Sequence, residues 1–147
     1  MAATRSATAI WEGNLLQGHG TVSSGTSGQL RDLPVSWSAR TEDPDGLTGP
    51  EELLAAAHAS CFSMALSNIL AKAGFTAERL EVTADISGDK LEVGWTVLRS
   101  QLTVRGRVPG ADAASFAKAA EEAKDGCPIS RALKGNVEMS VEATFES

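Results

Sequence analysis

The sequence predicts an α+β domain in which antiparallel β-sheets pack on two main helices. Segments in which apolar and polar residues alternate, as in half-buried strands, occupy the start, the middle and the end of the chain. Two segments rich in helix-forming residues separate these β-rich parts. The length of 147 residues suits one domain, and the sequence contains no internal repeat. We therefore predict a single domain over residues 1–147.

The N-terminal part of the chain predicts a small β-meander. Residues 6–16 begin with β-forming residues and run into a turn at 11–14, and residues 21–24 form a short second strand. Residues 23–28 are rich in Ser, Gly and Thr and predict a turn. Residues 35–38 alternate between apolar and polar side chains and predict a third strand.

A long helix is predicted over residues 50–73, after a loop at 41–49 that contains Pro and Gly. Pro50 suits the first helical turn, and Gly74 suits the C-terminal cap. The helix is apolar on nearly every side, and one chain of this size has little surface with which to cover it. We therefore expect a second chain to cover part of this helix.

The second half of the chain also alternates between strands and helices. The predicted strands cover residues 80–86, 93–108 and 137–145, and the predicted helices cover 112–124 and 128–133. Asp112 is the expected N-terminal cap of the longer helix, and Gly126 is its expected end. Pro128 suits the first position of the short helix.

Composition and charge argue against several kinds of partner. A hydrophobic content of 42% with 22% charged residues is typical of a globular protein. The net charge of −6 and the aromatic content of 5% disfavour phosphate backbones and base stacking, so we expect no nucleic acid partner. No run of about 18 apolar residues is present, so we expect no membrane association. The N-terminus lacks the apolar core of a secretory signal, so we expect a cytoplasmic protein.

Two cysteines, Cys61 and Cys127, are candidate reactive groups, although both also suit small buried positions. Cys61 lies too deep in its predicted helix for the helix dipole to lower its pKa, so a cation would have to do so. Arg40 is one candidate. Cys127 precedes Pro128 at the expected start of a short helix, where backbone N–H groups favour a thiolate. No Cys-x-x-Cys motif is present, which excludes a zinc ribbon or a thioredoxin-type motif.

Glu51 and His58 lie in the same predicted helix as Cys61. Glu51 suits a capping box with Thr48. It precedes Cys61 by ten residues, about 15 Å along a helix, so it could serve Cys61 only from another subunit or after a break in the helix. His58 precedes Cys61 by three residues, which aims it poorly for proton transfer, and we interpret it as structural. With only one other histidine in the chain, a metal site has little support.

The chain resembles the OsmC/Ohr family of osmotically inducible and organic hydroperoxide resistance proteins. Residues 50–67, PEELLAAAHASCFSMALS, are similar to the helix signature of that family, and Gly-Cys-Pro-Ile-Ser at 126–130 is similar to its second cysteine motif. Trp-Glu-Gly at 11–13 and Gly-x-Gly-Thr-Val at 18–22 resemble the OsmC branch, as does the run Ala-His-Ala-Ser-Cys-Phe. The resemblance covers nearly the whole chain.

The resemblance implies a thiol-dependent peroxidase that reduces organic hydroperoxides, and hydrogen peroxide less well. Cys61 matches the peroxidatic cysteine, Cys127 matches the resolving cysteine, and Glu51 matches the active-site carboxylate. Arg40 is similar to the OsmC arginine, which would stabilise the thiolate and orient the peroxide while Glu51 holds its guanidinium.

The same resemblance implies a reaction cycle and an assembly. Cys61 is oxidised to a sulfenic acid, forms a disulfide with Cys127 and is regenerated by an external dithiol, with no metal, haem or flavin cofactor. The family forms an intertwined homodimer with its sites at the subunit interface, which agrees with the apolar helix. Apolar residues near Cys61 suit a substrate with an alkyl or aryl tail: Leu53, Leu54, Phe62 and Met64.

Two other interpretations of the sequence make different predictions. A cysteine hydrolase that uses Cys61 and His58 would tolerate Cys127→Ser, whereas a two-cysteine peroxidase would lose turnover. A non-enzymatic small-molecule binding domain would keep both cysteines in its core, and its thiols would resist alkylation in the folded protein.

Overall fold

Strands and helices alternate along the chain in the predicted order, which confirms the α+β class. The computed structural model describes all residues from Met1 to Ser147. They form two three-stranded sheets and two main helices. By contacts the chain divides into two compact units, Met1–Leu53 and Leu54–Ser147, and the single domain over 1–147 stays a prediction.

The first unit contains an antiparallel sheet with the strand order β1-β2-β3. Its elements are β1 (Ala7–Glu12), β2 (His19–Ser24), β3 (Leu33–Val35) and a short helix, α1 (Trp37–Thr41). The strand predicted over 35–38 is wrong, because β3 ends at Val35 and a helix follows. The Ser36 side chain caps that helix by accepting a hydrogen bond from the Ala39 N–H at 3.0 Å. This bond satisfies a donor at the helix start, so the chain turns away from the sheet.

The long helix α2 spans Pro50–Lys72, close to its predicted bounds, and the left-handed backbone of Gly74 (φ +90°) follows its end. Its buried residues recur every fourth position: His58, Phe62, Leu66 and Leu70. By length and composition alone α2 could span a membrane, so the expectation that no segment is apolar enough was wrong; core helices of soluble proteins pass the same test. Of its most apolar window 22% is fully buried, and the other positions of the helix are partly buried or exposed.

The second unit contains a sheet with the strand order β4-β5-β6. Its strands are β4 (Arg79–Leu91), β5 (Gly94–Arg107) and β6 (Glu138–Glu146), and its further helices are α3 (Ala113–Gly126) and α4 (Pro128–Leu133). Strands β4 and β5 form an antiparallel hairpin, whereas β5 and β6 pair in parallel. The prediction of antiparallel sheets is therefore wrong for this pair. The helical connection through α3 and α4 is long enough to bring β6 back in the same direction as β5.

The core of the second unit is built from side chains of α2, β5 and α3. Its largest member from α3 is Phe116, which lies against β5 at Gly106, where a Cβ atom would collide with the phenyl ring. Cys127 is fully buried and belongs to the same core cluster, at the junction of α3 and α4. The core therefore fixes the position of one of the two cysteines.

Candidate functional site

Cys127 joins α3 to α4 and bonds to both helices. Its backbone N–H donates to the Ala123 carbonyl at the end of α3 (2.9 Å). Its Sγ caps α4 by accepting a hydrogen bond from the Ser130 N–H (3.2 Å). The position at the start of a short helix is the predicted one.

Cys61 contacts Cys127 across the packed helices of the second unit. The Cys127 side chain and the backbone N–H of Ile129, on α4, both act on the Cys61 thiol, which places these groups close together. Both cysteines are free thiols, Cys61 half-buried and Cys127 buried. The first turn of α4 therefore supplies one backbone donor to each sulfur, from Ile129 and Ser130.

Burial raises the pKa of the Cys61 thiol above its ordinary value. The Ile129 N–H bond lowers this pKa, the Cys127 side chain raises it, and the positive charge of Arg131 lowers it. Desolvation is the largest of these effects, so within one chain Cys61 favours the neutral thiol. A reactive thiolate at this position requires a further positive charge or donor.

Arg40 and Glu51 form a two-point ion pair in the first unit. The Nε atom of Arg40 donates to both carboxylate oxygens of Glu51, at 2.9 and 3.1 Å. One terminal nitrogen, Nη2, lies 2.8 Å from Oε1. The guanidinium also lies 5.8 Å from the ring centroid of Trp37, a cation–π distance. At the start of α2 the Thr48 hydroxyl donates to Glu52 at 2.8 Å.

An apolar pocket of about 400 Å³ lies in the first unit, and Arg40 is the one charged residue in its lining. The lining residues are Ala9, Trp11, Leu15, Val22, Val35, Ser36, Trp37, Arg40, Pro50 and Leu53. The pocket therefore combines apolar walls with a single cation, which suits a ligand with an apolar body and one polar group.

His58 is fully buried and uses both ring nitrogens within the second unit. Its Nδ1 lies 2.7 Å from the Ser100 hydroxyl, and its Nε2 lies 2.8 Å from the Ser130 hydroxyl. Burial lowers the pKa of the imidazole, so the neutral ring is favoured at pH 7. Because neither nitrogen bonds to Cys61, the structure does not form the Cys–His pair that a hydrolase would need.

Comparison with known proteins finds the same family across most of the chain. The sequence profile described as OsmC-like protein matches residues 43–142. The chain is 44% identical over 134 residues to Peroxiredoxin OsmC of Escherichia coli strain K12, covering 91% of this chain and 92% of the relative. The chain belongs to the OsmC family.

This OsmC-family chain is also similar to two proteins of Bacillus subtilis, one by sequence and one by structure. It is 31% identical to the organic hydroperoxide resistance protein OhrA, over 76% of this chain and 77% of the relative. The crystal structure of OhrB superimposes with a TM-score of 0.73 at 26% identity, covering 95% of this chain and 98% of that one.

The OsmC-family site residues predicted from the sequence form two pairs in the structure, Cys61 with Cys127 and Arg40 with Glu51. Helix α2, which carries both Glu51 and Cys61, is continuous from Pro50 to Lys72. The sequence left two routes by which Glu51 could serve Cys61, a break in this helix or another subunit. The helix has no such break, and the second subunit stays a prediction.

Sequence reasoning assigned no role at this candidate site to three residues of α4: Ile129, Ser130 and Arg131. The sequence argument required a cation for Cys61 because the helix that carries Cys61 offers no free hydrogen-bond donor. The start of α4 supplies such a donor, the backbone N–H of Ile129. The motif around Pro128 did predict where α4 begins. Which sulfur each of its N–H groups would reach depends on how α4 packs on α2, and no local signal contains that information.

Proposed function

We propose that Cys61 is the peroxidatic cysteine of this chain and Cys127 its resolving cysteine. As a homologue of Peroxiredoxin OsmC, the chain is a thiol-dependent hydroperoxide reductase. The observation that carries the residue assignment is the direct contact between the two thiols at the start of α4. Two free thiols in contact can close a disulfide with little movement of the backbone.

The proposed cycle has three steps. The Cys61 thiolate attacks the terminal oxygen of a hydroperoxide, the O–O bond breaks, and the alcohol leaves after taking a proton. The sulfur of Cys127 then attacks the Cys61 sulfenic acid, which forms the disulfide and releases water. An external dithiol reduces the disulfide by thiol–disulfide exchange. Because the cycle needs an external dithiol to regenerate both thiols, we also propose a reducing, cytoplasmic compartment.

The linkage test is mass spectrometry of the folded protein after one equivalent of cumene hydroperoxide. We expect a peptide in which Cys61 is joined to Cys127 within one chain. The Cys127→Ser protein, treated in the same way, should instead hold a sulfenic acid at Cys61 that dimedone traps. Reduced cysteines after complete consumption of the peroxide would contradict the assignment.

We propose an organic hydroperoxide with an alkyl or aryl tail as the substrate. The apolar pocket of the first unit supports this proposal, because its walls suit the tail and Arg40 in its lining suits the polar peroxide end. Hydrogen peroxide has no tail with which to use such walls, so we expect it to be a poorer substrate.

We further propose an obligate homodimer in which Arg40 and Glu51 of one subunit serve Cys61 of the other. Three observations support it. Part of α2 is exposed within one chain, and Met64 on this helix is 71% exposed. The Cys61 pKa is raised within one chain, so the site needs a further cation. Glu51 and Cys61 lie about 15 Å apart along one continuous helix.

Arg40→Ala is expected to raise the pKa of Cys61, because it removes the cation that favours the thiolate. The alkylation rate of Cys61 should fall by about tenfold at neutral pH and recover at higher pH. A pH titration of the alkylation rate measures this shift. Arg31→Ala removes an exposed positive charge from the same unit and serves as the matched control. An unchanged profile in Arg40→Ala would mean that another residue activates Cys61.

A further inference from the structure

A buried line of hydrogen bonds connects the resolving cysteine to His58. The Ser130 hydroxyl lies 3.1 Å from the Cys127 sulfur and 2.8 Å from Nε2 of His58. On the far side of the ring, Nδ1 lies 2.7 Å from the Ser100 hydroxyl. All four residues are at most 1% exposed. The proposed peroxidase cycle uses Cys127 but gives no role to the imidazole.

The direction of these hydrogen bonds follows from counting protons. The Cys127 thiol donates to the Ser130 oxygen. The single hydroxyl proton of Ser130 is then free to be donated to Nε2 of His58. A neutral imidazole that accepts at Nε2 carries its proton on Nδ1, which donates to Ser100. The protons of Cys127, Ser130 and Nδ1 are each donated once, and the path from Cys127 reaches a basic nitrogen at Nε2.

We propose that His58 accepts, through Ser130, the proton that Cys127 loses when it attacks the Cys61 sulfenic acid. This inference rests on the proposed two-cysteine function. As the S–S bond forms and the S–O bond of the sulfenic acid breaks, the thiol proton moves to the Ser130 oxygen and the Ser130 proton moves to Nε2. The leaving hydroxide takes a proton from solvent and departs as water, and the imidazolium later releases its proton, so that one water and one disulfide are formed per closure. His58 does not contact the reacting sulfurs and acts on Cys127 only through Ser130.

The burial of Cys127 is the reason that a proton acceptor is needed. Cys127 is fully buried among apolar core side chains, so solvent base has no direct access to its proton. A neutral imidazole two hydrogen bonds away accepts the proton without contact with water. Burial lowers the pKa of His58, so the ring is neutral and able to accept at pH 7.

The elements that hold this line carry the following charged and titratable groups besides His58: Glu51, Glu52, Cys61 and Lys72 on α2, Cys127 and Arg131 at α4, and Arg99, Arg105 and Arg107 on β5. Arg99 pairs with Glu138 of β6 at 3.7 Å. None of them forms an ion pair with the imidazole, and burial is the cause of its lowered pKa. Between about pH 5 and pH 9 we therefore expect the rate of disulfide closure to fall towards acidic pH as His58 becomes protonated.

The test separates the two chemical steps in a single turnover with cumene hydroperoxide. Sulfenic acid formation is followed by dimedone trapping, and disulfide closure by the loss of alkylatable Cys127. In His58→Gln the amide can still bond to Ser130 but cannot take up a proton. We expect sulfenic acid formation at the wild-type rate and closure slowed by about 10²-fold at neutral pH.

The shape of the pH profile distinguishes proton transfer from a structural role. Wild-type closure should be level around neutral pH and fall at acidic pH, where His58 becomes protonated. Closure in His58→Gln should be slow throughout and should lack the fall at acidic pH, because the glutamine amide does not titrate. Equal slowing of both steps with an unchanged profile, or closure at the wild-type rate, would overturn the proposal.

Two further variants complete the test. His19→Gln makes the same exchange at the other histidine, which lies exposed on β2, and should close at the wild-type rate. If His58→Gln fails to fold, Ser130→Ala removes the middle of the line and should slow closure in the same selective way; closure at the wild-type rate there would also overturn the proposal. Failure of the wild type itself to form the disulfide would instead contradict the two-cysteine function.

Discussion

Cys61→Ser is expected to abolish hydroperoxide reduction, with turnover at least about 10³-fold below wild type, because a serine hydroxyl is not ionised near neutral pH. Coupled consumption of cumene hydroperoxide measures this loss. Ser60→Ala, which alters the exposed hydroxyl next to Cys61, should retain wild-type turnover. Full multiple-turnover activity in Cys61→Ser would show that the nucleophile lies elsewhere.

Cys127→Ser is expected to give a different result from Cys61→Ser. The first oxidation of Cys61 should proceed, so each chain consumes about one hydroperoxide and then stops, because no second thiol closes the disulfide. The side chain of Ser is close in size to that of Cys, so the buried position tolerates the exchange. Turnover at the wild-type rate in Cys127→Ser would exclude Cys127 as the resolving cysteine and would favour direct reduction of the sulfenic acid.

Mixing two inactive variants is expected to restore activity if the site is shared between subunits. Glu51→Ala and Cys61→Ser chains, unfolded and refolded together, should yield heterodimers with one intact site. That site combines Cys61 from the first chain with Glu51 from the second. Random pairing in a two-fold dimer predicts about one quarter of the wild-type activity. Turnover in the mixture, compared with each variant refolded alone, measures the rescue.

The matched control for this experiment mixes Cys61→Ser with Cys127→Ser. Both cysteines belong to the same half of the shared site, so their heterodimers contain no intact site and should stay inactive. A fully active monomer in sedimentation would contradict the dimer. No rescue in mixtures that demonstrably contain heterodimers would contradict the shared site.

The parts of the fold that were predictable are those with local signals. Pro50 and Gly74 mark the ends of α2, and Asp112 and Pro128 mark the starts of α3 and α4. The strand predicted around Trp37 was wrong because alternation over four residues suits a strand, whereas Ser36 caps a helix that begins at Trp37. The parallel pairing of β6 with β5 was not predictable, because alternation identifies a strand but not the direction of its neighbour.

The candidate site also has a part that local sequence signals predicted and a part that they did not. The sequence predicted that Cys127 precedes a short helix, and the structure has it there. The contact of Cys61 with Cys127 had no local signal and was expected only through the family resemblance. The Ile129 donor, the Arg131 charge and the partners of His58 come from packing between helices and β5, which residue spacing alone does not encode.

The Arg40–Glu51 pair affects how any larger assembly would form. An arginine side chain has about 2 kcal/mol of rotamer entropy to lose when it is held in one position. Here the guanidinium is bound by a carboxylate of its own chain, so that loss occurs during chain folding and not during subunit docking. A docking partner would meet a cation that is already ordered. The affinity between subunits would then depend chiefly on the uncovered apolar surface of α2, and its salt dependence should be small.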